Sequence, residues 1–129
     1  MKKVVSQFGR GPLEQKLTVG DLHFLSDADP TKGGTGSGPS PHEYLDAALA
    51  ACTSMILKKY AGLKSMNPEN AAVTVDIVRE DDVEIFSREI KFTGNLISAE
   101  KERLLKIADK CPIHKALAGN IQIKTLLVN

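Results

Sequence analysis

The stretch Ser40-Pro-His-Glu-Tyr-Leu-Asp-Ala-Ala-Leu-Ala-Ala-Cys52-Thr-Ser-Met-Ile-Leu57 decides how the chain folds. Ser40 carries a hydroxyl suited to capping a helix, Pro41 suits the first helical position, and Glu43 stands where a capping box needs its carboxylate. Beyond the cap the residues are apolar around most of the helical circumference. The helix predicted here is therefore long, central and buried on nearly every side. Lys58 and Lys59 complement the dipole at its far end, and Gly62 is a suitable stop. A chain of 129 residues makes one domain, residues 1–129, and has little material to cover such a helix. The shortage predicts a homodimer in which two copies share the cover.

Before this helix the sequence reads as short strands and turns. Lys16–Val19 and Leu22–Leu25 flank Gly20-Asp21 as a hairpin. A loop then runs from Asp27 through Gly33, Gly34, Gly36 and Gly38 to Pro39. Glycines in a loop can cradle phosphate, but no Gly-Lys-Ser/Thr follows and no dinucleotide fingerprint is met, so a flexible surface loop is expected. After the helix, Val73–Arg79 and Val83–Phe92 alternate as strands around the turn Glu80-Asp81-Asp82. Ser98 caps a further helix that carries Leu104, Leu105, Ile107 and Ala108 on one side. Pro112 interrupts it, His114–Ala118 adds one or two turns, and Ile121–Val128 reads as a closing strand. The class is α+β, an antiparallel sheet packed on the central helix.

Composition narrows what the domain can do. Seventeen Lys and Arg against sixteen Asp and Glu leave a net charge of +1, which is no footprint for nucleic acid. Aromatic residues are 5% and Trp is absent, so base stacking is disfavoured. No apolar run reaches the ~18 residues of a membrane span. The start, Met1-Lys-Lys-Val-Val-Ser-Gln7, has no apolar signal core. Two cysteines are too few for a disulfide-stapled secreted scaffold, and a cytoplasmic location is expected.

Those two cysteines are the candidates for chemistry. Cys52 lies in mid-helix on a face with Leu45, Ala48, Leu49 and Ile56, where it also reads as a small hydrophobe in a packed core. Cys111 stands where a helix N-cap would be, just before Pro112. Free N–H groups and the dipole there favour a thiolate, although the residue also reads as the last before a proline kink. Cys111 and His114 have the spacing of half a zinc site, but the other half is missing unless Cys52 and His23 or His42 supply it. A Cys111–His114 pair for acyl transfer lacks an orienting Asn or Asp at a recognisable spacing. No metal and no cofactor are expected. Arg10, between two glycines, can reach inward from a turn or remain solvated. Arg88 is a second candidate cation, but alternation alone does not say which face of its strand points inward.

The run from Gly38 to Thr53, the later Ile107-Ala-Asp-Lys-Cys111-Pro-Ile-His114, and the intervening Phe86–Gly94 together resemble the osmotically inducible protein and organic hydroperoxide resistance family. The likeness covers most of the chain, with both cysteine motifs in order. It implies an intertwined homodimer with sheets wrapped round two buried helices and active sites at the interface. It further implies a thiol peroxidase without metal or haem, acting on an organic hydroperoxide. Cys52 would be the peroxidatic cysteine and Cys111 the resolving one. Arg10 would stabilise the thiolate, and Glu43 would hold Arg10. The reductant would be a dithiol, a lipoylated protein for some members. The alternative is a stress-response protein that binds a small apolar ligand on the same scaffold without catalysis.

Overall fold

Strands β1 (Val4–Phe8), β2 (Gln15–Val19) and β3 (Leu22–Ser26) form an antiparallel sheet in that order. They belong to the first of two compact units, residues 1–45, in a computed structural model that describes residues 1–128. The expected hairpin is present: Val19 pairs with Leu22, and Gly20 takes φ 57°, a conformation open to glycine. β1 is not among the elements expected from sequence. All its residues are exposed, so it lacks the half-buried alternation that marks a strand.

The glycine-rich loop is not the flexible segment expected. Asp27 is 4% exposed, and its carboxylate accepts from the main-chain N–H groups of Ala28 (2.7 Å), Thr35 (3.1 Å) and Ser37 (3.1 Å). The hydroxyls of Thr35 and Ser37 donate to it as well, each at 2.8 Å. An aspartate thus occupies the donors that a phosphate would need. Gly34 lies so close to the carbonyl of Ala28 that a side chain there would collide with it. The Ser37 N–H above all, opposed by burial and helped by the Thr35 and Ser37 hydroxyls, holds the Asp27 carboxyl well below the usual carboxylate range. A carboxyl whose pKa is depressed by folding stabilises the fold above its unfolded value of about 3.9, and that contribution is lost as pH falls below it. Asp27→Asn is therefore expected to lower the melting temperature at pH 7 and to flatten its fall between pH 4 and pH 2. Equal melting curves for both proteins at pH 7 would show that the loop does not depend on this charge.

Helix α1 (Pro41–Leu63) starts as expected. Ser40 Oγ accepts from the Glu43 N–H at 3.1 Å, and the Glu43 carboxylate accepts from the Ser40 N–H at 2.9 Å. The helix passes Gly62 and stops one residue later, with Ser65 at φ 54°. Its burial departs from expectation. Leu49, Thr53, Leu57 and Ala61 form one buried stripe at four-residue spacing, while Met55 and Leu63 are 70% and 74% exposed. Among the described residues none covers Met55 or Leu63 on that second face.

The second unit begins at Asp46. In it, β4 (Asn67–Glu80) and β5 (Val83–Asn95) form a long antiparallel hairpin. Asp81 and Asp82, both at positive φ, make its two-residue turn. Ala71, Val73, Val75 and Ile77 of β4 and Glu84, Phe86, Arg88, Ile90 and Phe92 of β5 are the half-buried positions in the alternation. Helix α2 (Ser98–Ala108) has its cap at Ile97, one residue before the expected Ser98, and Glu100 accepts from the Ile97 N–H at 3.0 Å. Helix α3 (Pro112–Ala118) follows, with Cys111 at its N-cap as expected. Leu57 and Ala61 of α1, Met66, and Leu104, Ile107 and Ala108 of α2 form the core, against which Ile90 and Phe92 pack. The expected closing strand is absent. Residues 120–128 have no regular structure, and Ile123 and Leu127 are 87% and 82% exposed. A strand needs a neighbour to take its hydrogen bonds, and this segment pairs with none among the described residues.

Candidate functional site

The two cysteines, 59 positions apart by number, are neighbours in the second unit, and neither is in a disulfide. Cys52 lies on α1 beside the fully buried Thr53 and is itself half-buried. Cys111 is wholly buried, and its sulfur accepts from the His114 N–H at 3.4 Å. A cysteine at a helix N-cap followed by proline explains this locally. The proline supplies no N–H, and the next N–H groups of the first turn point back at the sulfur.

Each thiol alters the other's ionisation, in opposite directions. Burial pushes the Cys52 thiol up, the Cys111 thiol adds to that, and the Ile113 N–H opposes it only in part. Burial would also raise Cys111, but the Cys52 thiol and the N–H groups of His114 and Ile113 outweigh it, so Cys111 lies below the ordinary thiol range.

Arg88 on β5, with only 12% of its side chain exposed, contacts residues that flank the two cysteines in sequence. Its Nη1 donates to Thr53 Oγ1 (3.0 Å) and to the Ala108 carbonyl (3.3 Å). Its Nη2 donates to Asp109 Oδ1 (2.9 Å) and meets His114 Nδ1 at 3.0 Å. Arginine has no acceptor, so in this contact His114 Nδ1 accepts. Thr53 Oγ1 in turn donates to the Leu49 carbonyl at 2.7 Å. Sequence reasoning left the direction of Arg88 open, yet a signal was present. In Phe86-x-Arg88-x-Ile90-x-Phe92 an arginine takes a place on the apolar face of its strand, where a charge stands only if its partners are supplied.

Arg10 and Glu43 are in the first unit. Arg10 is exposed in the turn between β1 and β2, and its main-chain N–H donates to Glu14 Oε1 at 2.9 Å. Glu43 is exposed, and Oε1 of its carboxylate is engaged by the Ser40 N–H. No group of three His, Cys, Asp or Glu side chains among the described residues is placed to hold a metal ion. No helix among them is long and apolar enough to cross a membrane. A cavity of about 170 Å³ in the second unit, lined by Ser54, Leu57, Lys58, Phe92 and Leu104 among others, includes neither cysteine.

Residues 34–126 match the family model described as OsmC-like protein. Among solved structures, an OsmC-like protein from Mycoplasma pneumoniae superposes with a TM-score of 0.79 at 18% identity, covering 92% of this chain and 88% of that one. The organic hydroperoxide resistance protein OsmC from Legionella pneumophila does so with a TM-score of 0.67 at 24% identity, covering 96% and 93%. The organic hydroperoxide resistance protein OhrB of Bacillus subtilis gives 0.62 at 22% identity, covering 96% and 95%. At these identities the likeness is one of fold. Among curated proteins none matches the chain in sequence.

Proposed function

Because the chain belongs to the OsmC-like family, we propose that it is a cysteine-based thiol peroxidase that reduces organic hydroperoxides. The observation that carries this reading is the pair of free thiols, Cys52 and Cys111, each close enough to change the other's ionisation. The Cys52 thiolate attacks the distal peroxide oxygen. A sulfur–oxygen bond forms, the oxygen–oxygen bond breaks, and the alkoxide leaves and takes up a proton as the alcohol. Cys52 is then a sulfenic acid. The Cys111 thiolate attacks that sulfur, a sulfur–sulfur bond forms, and hydroxide leaves to become water. A dithiol, such as a lipoylated protein, then reduces the bridge by exchange and is itself oxidised to a disulfide.

The depressed Cys111 thiol suits the resolving role, since the attacking sulfur must be ionised. Cys52 needs a cation to offset its burial. Arg10, held by Glu43, is proposed to provide it, as the resemblance to the family implies. Capping engages Oε1 of Glu43, so Oε2 is the atom proposed to receive the guanidinium. A homodimer completes the proposal. Met55 and Leu63 on α1 and Ile123 and Leu127 in the final segment are the apolar surface it would bury.

A second reading, a stress-response protein that binds a small apolar ligand, draws support from the raised Cys52 thiol, which is a poor nucleophile while protonated. Intact-mass measurement of the reduced protein after one equivalent of cumene hydroperoxide separates the two. Loss of two hydrogens, mapped to a Cys52–Cys111 bridge, is the expected result. A mass that stays at the reduced value would discard the peroxidase and leave the binding protein.

A further inference from the structure

Four contacts from separate parts of the chain converge on one guanidinium, that of Arg88, whose side chain is 12% exposed. Arg88 is the charged position in the inward series Phe86, Arg88, Ile90, Phe92, and its burial is tolerated because both terminal nitrogens find acceptors. The acceptors come from separate elements. Thr53 follows Cys52 on α1, Ala108 and Asp109 end α2, and His114 is in the first turn of α3, whose cap is Cys111. One rigid, planar group on β5 therefore ties the residue beside the first cysteine to the residues on either side of the second.

We propose that Arg88 is the positioning residue for closure of the Cys52–Cys111 disulfide. This rests on the peroxidase reading above. In the step concerned, the Cys111 sulfur displaces hydroxide from the Cys52 sulfenic acid. The sulfur–sulfur bond forms as the sulfur–oxygen bond breaks, and the hydroxide is protonated to water. Displacement at sulfur needs an in-line approach, and a disulfide tolerates little error in separation or dihedral angle. A clamp that fixes α3 against α1 meets that demand. Its action is geometric more than electrostatic, because Asp109, 2.9 Å from Nη2, offsets the charge of Arg88. The competitor is a second hydroperoxide, which takes the sulfenic acid to sulfinic acid whenever closure is slow.

The readout is the ratio of disulfide to sulfinic acid on Cys52, by intact mass and peptide mapping, after a fixed excess of cumene hydroperoxide. In Arg88→Met this ratio is expected to fall roughly tenfold or more, on the scale by which a small misplacement slows an oriented reaction. Arg88→Lys keeps the charge but cannot reach four acceptors, and an intermediate ratio is expected. Should Arg88→Met fail to fold, Asp109→Ala decides, since that side chain is 67% exposed and the change spares the core. A fall of about threefold is expected there, from loss of one charge-assisted bond of several. An unchanged ratio in whichever of these variants folds overturns the role of Arg88. If the wild-type protein itself forms neither product, the peroxidase reading falls and the inference with it. Wild-type closure matched by the variants removes only the inference.

Discussion

Cys52→Ser is expected to slow consumption of organic hydroperoxide by roughly a thousandfold or more, because a serine hydroxyl without an adjacent base is scarcely nucleophilic. Cys111→Ser is expected to behave differently. Its Cys52 can still attack once, but the sulfenic acid has no partner within the site, so sulfinic acid accumulates and turnover stops. Peroxide consumption measured against time, with the mass of the protein at the end, distinguishes the two. Wild-type rates in Cys52→Ser would eliminate the mechanism. The pH dependence adds a check on Arg10. Burial holds the Cys52 pKa up, so the reactive thiolate fraction grows with pH. Below that pKa the oxidation rate rises about tenfold per pH unit. If Arg10 lowers the Cys52 pKa, Arg10→Ala shifts the inflection of the rate profile to higher pH. Superimposed profiles would remove Arg10 from the site.

Leu104→Ala is expected to cost about 2–5 kcal/mol of folding stability. Leu104 is 0% exposed and packs in the cluster with Leu57 and Ala61 of α1 and Ile107 and Ala108 of α2. Deleting its side chain leaves a cavity between the helix that carries Cys52 and the helix that leads into Cys111. Urea denaturation of the reduced variant and wild type measures the loss. A difference under about 1 kcal/mol would mean that the neighbours collapse into the space. The same experiment tests the dimer, since a folded state that requires two copies unfolds at a midpoint that rises with protein concentration. A midpoint independent of concentration over a hundredfold range would count against it.

The elements legible in the sequence are those whose causes are local. Ser40, Pro41 and Glu43 mark the start of α1 within four residues, and Cys111-Pro112 marks the start of α3. Gly20-Asp21 marks a hairpin, and the alternation in residues 73–79 and 83–92 marks two strands. Local patterns also mislead where the deciding partner is remote. Residues 121–128 have the apolar character of a strand and pair with no strand among the described residues. The glycine loop reads as loose until Asp27 is seen to gather its N–H groups from as far as Ser37.

Sequence by itself determined the α+β class, the helix that carries Cys52 and the cap position of Cys111, because propensity, capping and side-chain period act over a few residues. Tertiary structure decided what the cysteines face. Period-two alternation puts Arg88 on the same face as Phe86 and Ile90 but cannot say where that face points, and only packing brings it to Thr53, 35 residues away, and to His114, 26 away. The opposite shifts of the two thiols follow from the same cause. Ionisation responds to burial and to donors within a few ångströms, and those distances exist only once remote segments are packed together.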